Sequence, residues 1–93
     1  MRRAAKRDDS EAAIVQALEQ GGWAVSRVNG IPGFPDLIVA RGGEMHLIEC
    51  KTKNGTLTEA QEEFHRLWTG PPILVFRSVE DVVAWLGGDA NPR

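Results

Sequence analysis

Ninety-three residues, 42% hydrophobic and 26% charged, make one small globular domain and exclude both a disordered chain and a second domain. No apolar run approaches the roughly 18 residues that cross a bilayer, and the basic start Met1-Arg2-Arg3-Ala4-Ala5-Lys6-Arg7 lacks the apolar segment of a secretory signal. The net charge of −2 decides little about a polyanionic partner. Basic residues gather at Arg2, Arg3, Lys6 and Arg7 and again at Lys51 and Lys53, while Glu59, Glu62 and Glu63 lie elsewhere.

Residues 1–7 read as a flexible basic arm. A first helix is expected from about Asp9 to Gln20, capped by Asp8, Asp9 or Ser10 and closed by Gly21-Gly22, with Ile14, Val15 and Leu18 as its apolar stripe. Trp23 to Val28 alternates as a short strand, and Asn29-Gly30-Ile31-Pro32-Gly33 is a turn. Pro35–Arg41 and Glu44–Thr52 read as two strands joined by Gly42-Gly43, a two-residue hairpin signal. A second helix starts at Thr58, where Gln61 completes a capping-box pattern, and ends before Gly70-Pro71-Pro72; its stripe is Ala60, Phe64, Leu67 and Trp68. Ile73-Leu74-Val75-Phe76 is a strand buried on both faces. Ser78 opens a third helix burying Val79, Val82, Val83 and Leu86, closed by Gly87-Gly88, and residues 89–93 read as a frayed tail. One domain, residues 8–88, therefore follows the order α-β-β-β-α-β-α, with its last two strands parallel across the second helix.

The hairpin carries the chemistry. A two-residue loop at Gly42-Gly43 pairs Arg41 with Glu44 and Ile38 with Leu47, and the same register sets Asp36 opposite Glu49. Opposed residues have Cβ atoms about 4.5–5.5 Å apart, and Lys51, two residues on, faces the same way at about 7 Å. Opposed like charges are destabilising unless something compensates them, as a hard divalent cation does. The alternative is a solvated strand end with both carboxylates in water.

Glu11 continues the buried stripe of the first helix through its spacing from Ile14 and Val15. It is either a further acidic ligand, direct or through water, or a first-turn residue favoured by the helix dipole. Gln61 likewise either completes the capping box or extends toward the catalytic strand. His46 differs in parity from Glu49 and faces away, and His65 reads as surface. Cys50 points its thiol to the core, while its backbone carbonyl remains available to a metal. A single cysteine excludes an internal disulfide and fits a reducing cytoplasm; with no Cys/His cluster and no phosphate-binding glycine loop, structural zinc and a nucleotide cofactor have no support.

Pro35-Asp36 with Glu49-x-Lys51, preceded by Glu11, resembles the PD-(D/E)xK nuclease superfamily. More narrowly, Gly33-Phe34-Pro35-Asp36-Leu37, Ile48-Glu49-Cys50-Lys51-Thr52 and Leu57-Thr58-x-x-Gln61 resemble the VRR-NUC domains over about Glu11 to Leu86. The resemblance implies a restriction-endonuclease-like α/β core, α-β-β-β-α-β, here with an added C-terminal helix and a mixed sheet flanked by helices. It implies Mg²⁺- or Mn²⁺-dependent phosphodiester hydrolysis, with metal on Asp36, Glu49, the Cys50 carbonyl and, directly or through water, Glu11. Lys51 would orient or help deprotonate the attacking water, and Gln61 would assist the lysine or contact the backbone. A short member of this kind works as a homodimer on branched DNA such as Holliday junctions, with Arg2, Arg3, Lys6, Arg7 and Lys53 on phosphates. The class-level alternative is a non-catalytic junction- or partner-binding module on the same scaffold. Cysteine at the middle of the E-x-K triplet departs from the commoner aliphatic residue, but only its carbonyl would ligate.

Overall fold

The computed structural model describes residues 4–88, with side chains from Ser10 onward. Seven elements follow in chain order: α1 (Ala4–Gln20), β1 (Ala24–Arg27), β2 (Leu37–Arg41), β3 (Glu44–Cys50), α2 (Glu59–Leu67), β4 (Leu74–Phe76) and α3 (Val79–Leu86). They form one mixed sheet in the order β1-β2-β3-β4, antiparallel across β1, β2 and β3 and parallel between β3 and β4. This is the restriction-endonuclease-like arrangement, with helices flanking the sheet. The parallel pair follows from α2, which separates β3 from β4 and carries the chain back to the same end.

The β2–β3 turn fixes the register of the site. Gly42 and Gly43 have φ of 59° and 87°, the two positive values that a type I′ turn needs and that match strand twist. Leu37 pairs with Ile48, Ile38 with Leu47 and Arg41 with Glu44, the register read from the loop. Asp36 stands one residue before β2, where its carbonyl accepts the Val28 amide at 2.8 Å.

Alternation divides the sheet into two faces. Leu37 and Val39 of β2, Ile48 of β3, and Leu74 and Phe76 of β4 bury with Ile14 and Leu18 of α1, Trp23, and Val82 of α3 in one core. Cys50 packs at the margin of that core. His46 joins it through edge contacts with Trp23 and Trp85, at centroid distances of 5.6 and 5.3 Å. On the opposite face Leu47, Glu49 and Val75 are also buried.

Several boundaries differ from the sequence reading. Helix α1 begins at Ala4, so Asp8, Asp9 and Ser10 lie inside it rather than capping it, and residues 4–7 are helical rather than an arm. Arg2 and Arg3, the side chains of Lys6 and Arg7, and the tail 89–93 lie outside the described residues. Helix α3 buries only Val82; Val79, Val83 and Leu86 are exposed. Eight residues against one sheet face give room for a single buried ridge, and four apolar positions spread over more than that arc. In α2, Leu67 and Ala60 are exposed while Phe64 and Trp68 are half-buried. The apolar side of α2 is instead an aromatic row, Phe34–Phe64–Trp68, with centroids 5.1 and 5.7 Å apart. Among the described residues no helix is long and apolar enough to cross a membrane.

Candidate active site

The last residues of β3 and the turn before β2 bring the chemistry together. Asp36 Oδ2 accepts the backbone N–H of Cys50 at 2.7 Å, so the aspartate is tied to the strand that carries Glu49 and Lys51. Asp36 and Glu49 share a side-chain hydrogen bond, and Lys51 exerts its charge on the same glutamate. Glu49 has no solvent exposure. Burial, then the negative charge of Asp36, push its carboxyl from 4.5 up to about 8, with Lys51 opposing. In the absence of a cation Glu49 therefore keeps its proton across neutral pH, chiefly because it is buried and secondly because the Asp36 charge lies beside it.

Glu11 reaches this region from α1. A recess of about 10 Å³ between α1 and the end of β3 is lined by Ser10, Glu11, Ile14, Cys50, Lys51 and Thr52, room for about one water molecule. The Glu11 carboxylate is engaged by Arg27 of β1 at 3.2 Å, a partner that the helical phase of Glu11 could not reveal. The charges of Asp36, Glu11 and Glu49 converge on Cys50 and, after burial itself, raise its thiol pKa, with Arg27 opposing. A thiol so disfavoured as thiolate is inert as a nucleophile.

Helix α2 closes the site from the second sheet face. Thr58 caps it: its hydroxyl accepts the Gln61 amide at 3.2 Å, and its own N–H donates to Gln61 Oε1 at 2.8 Å. Gln61 Nε2 simultaneously donates to Glu49 Oε1 at 3.3 Å. The two sequence readings of Gln61 are thus one arrangement: the cap takes the oxygen end of the amide and the carboxylate takes the nitrogen end. His65, read from sequence as a surface residue, lies with its Nε2 3.2 Å from Glu49 Oε2 and its side chain 7% exposed. Its spacing of four from Gln61 was the available signal, since both must project from one face of the helix.

Two loops hold these parts in place. Gly33 has φ of +79°, and a Cβ there would sit 2.9 Å from the Ala60 carbonyl oxygen. The chain before Pro35-Asp36 can lie against the start of α2 only as glycine. Arg77 donates from Nη1 to the carbonyls of Thr52 and Gly55, securing the turn that follows Lys51; Lys53 in that turn is exposed.

Among the described residues no three His, Cys, Asp or Glu side chains gather closely enough to hold an ion by themselves. Two carboxylates do meet, sharing a hydrogen bond beside a strand-end backbone. This donor set fits Mg²⁺, which takes one or two carboxylates and keeps several waters, better than a cation that needs a full protein cage.

The family model for archaeal Holliday junction resolvase (hjc) matches residues 2–69. That span holds Glu11, the whole β2–β3 hairpin and all of α2, and the chain belongs to this family. No curated protein and no solved structure matched.

Proposed function

We propose that this member of the Holliday junction resolvase family is a Mg²⁺- or Mn²⁺-dependent endonuclease that cuts branched DNA as a homodimer in the cytoplasm. The carrying observation is the pairing of half-buried Asp36 with fully buried Glu49, with Lys51 on the same strand end, in a chain matched by a resolvase family. Asp36 and Glu49, with the Cys50 carbonyl, would hold a divalent ion, which when bound supplies Lewis acidity at the scissile phosphate. Lys51 orients the attacking water and stabilises negative charge that develops on the phosphate oxygens. Glu11 acts through water from the recess beside Lys51, with Arg27 fixing its carboxylate. Gln61 acts on Glu49 from the capped end of α2. The Leu57-Thr58-x-x-Gln61 capping box beside the carboxylates supports the narrower VRR-NUC reading of the motif.

Lys53, Lys6, Arg7, Arg2 and Arg3 would meet phosphates without reading sequence, so affinity should fall steeply with added salt. A two-fold dimer presents paired sites, as symmetric cuts in a four-way junction require. The test is cleavage of synthetic four-way, flap and linear duplex DNA with Mg²⁺, with Mn²⁺ and with EDTA. Metal-dependent cleavage favouring the junction, lost in Lys51→Ala, is the expected result. Junction binding without turnover would instead make the chain a binding module on a nuclease scaffold.

A further inference from the structure

Glu49 is a fully buried carboxyl group, and buried polar atoms need hydrogen-bond partners. Helix α2 reaches both oxygens. Gln61 Nε2 donates to Oε1 at 3.3 Å, and His65 Nε2 lies 3.2 Å from Oε2. The two residues are one helical turn apart and project from one face. Neither contact is casual. The Gln61 amide cannot turn round, because its oxygen is committed to the Thr58 N–H. His65 is removed from water almost as completely as the glutamate it meets. A purely structural position here would be filled better by an apolar side chain over an apolar strand residue; two polar side chains on one buried carboxyl are useful only if that group must be kept and aimed.

We propose that His65 is a positioning residue, which together with Gln61 clamps the Glu49 carboxylate in the orientation that faces Asp36 and so sets the two carboxylates for a divalent cation. The assignment rests on the nuclease reading above. Donors behind a metal-binding carboxylate typically contribute about 10–100-fold in metal affinity or activity. The hydrogen bond, rather than the ring, is the acting part.

Two pairs of substitutions separate donor from ring. His65→Phe keeps an aromatic ring and removes the N–H; His65→Gln keeps an N–H donor at similar reach and removes the ring. His65→Asn is polar like Gln but too short to reach Glu49. Calorimetric titration of Mn²⁺ into each folded, metal-free protein at one pH should give wild-type-like affinity for His65→Gln and about 10–100-fold weaker affinity for His65→Phe and His65→Asn. Excess Mn²⁺ should restore junction cleavage by His65→Phe, but not by Lys51→Ala. Wild-type Mn²⁺ affinity in His65→Phe or His65→Asn overturns the proposal, as does a His65→Gln protein no better than His65→Asn. If His65→Phe fails to fold, as read by circular dichroism, the Gln–Asn pair decides alone. If wild type takes up no Mn²⁺, or Asp36→Asn takes it up undiminished, the nuclease reading falls and the clamp with it. A failure confined to the His65 variants leaves that reading standing.

Discussion

Glu49→Gln should make the metal-free protein more stable at alkaline pH, and the size of the effect follows from the burial of one carboxyl. In the folded protein Glu49 keeps its proton up to about pH 8, whereas its ordinary value is 4.5. Between those values the native state binds more protons than the unfolded chain, so stability falls as pH rises. The contribution is fully present below about pH 4.5 and is gone above about pH 8. At 1.36 kcal/mol per pH unit that interval corresponds to about 5 kcal/mol, which relaxation and water entry reduce to a few kcal/mol. This is a large share of the 5–15 kcal/mol that typically holds a domain together. Glutamine is close to isosteric with the protonated carboxyl and does not ionise, although its NH₂ group replaces one of the two oxygens that Gln61 and His65 engage, a cost that lowers its stability at acid pH. Urea unfolding in EDTA across pH 5 to 9 should show a midpoint falling by about 2–3 M in wild type, taking a slope of about 1 kcal/mol per M for a domain this small. The Glu49→Gln midpoint should stay level apart from the titration of other groups, crossing wild type near pH 5–6. Mg²⁺ should raise the wild-type midpoint at pH 8 and leave Glu49→Gln unmoved. Parallel pH profiles for the two proteins would refute the reasoning, because Glu49 would then ionise freely in a hydrated site.

Other perturbations test the supports of the same site. Gly33→Ala places a Cβ 2.9 Å from the Ala60 carbonyl oxygen at a φ of +79°; thermal unfolding should show a loss of about 1–3 kcal/mol, with junction cleavage falling as Asp36 moves from α2. Thr58→Ala removes the hydroxyl that caps α2 and should cost about 1 kcal/mol in urea unfolding, while Mn²⁺ binding by the folded protein stays close to wild type, because the Thr58 N–H that holds the Gln61 side-chain oxygen is kept. Arg27→Gln breaks an ion pair in which the arginine side chain is 47% exposed and should change stability by less than about 1 kcal/mol. A larger loss in cleavage rate than in stability would be the mark of Glu11 acting in the reaction.

Those features that depend on residues close in the chain were legible beforehand. Gly42-Gly43 has one economical turn geometry, and from it every cross-strand partner follows, including the approach of Asp36 to the end of β3. The capping box at Thr58 is equally local, since donor and acceptor lie within three residues. The parity that turned His46 away from Glu49 is a property of the strand itself. Helix ends and faces were less legible. Nothing between Ala4 and Asp9 opposes helix, so no local signal marked where α1 begins. In α3 the apolar positions outnumber those the sheet has room to cover, and only packing selects Val82.

His65 shows where local reading stops. Taken along the chain, a histidine between Phe64 and Arg66 in a helix rich in glutamate is an ordinary surface residue. Its position becomes chemical only when α2 is laid across the face of β3 that carries Glu49. The same docking converts Gln61 from a cap into a cap and a clamp. It also accounts for the sparse apolar surface of α2, in which no residue is fully buried: the helix meets the sheet through polar side chains aimed at one carboxylate, while Phe64 stacks between Phe34 and Trp68. A helix held in this way contributes little to the core and much to the orientation of Glu49. Substitutions along its inner face should therefore register in metal binding before they register in stability, the reverse of the order expected for Val82 or Leu18 in the main core.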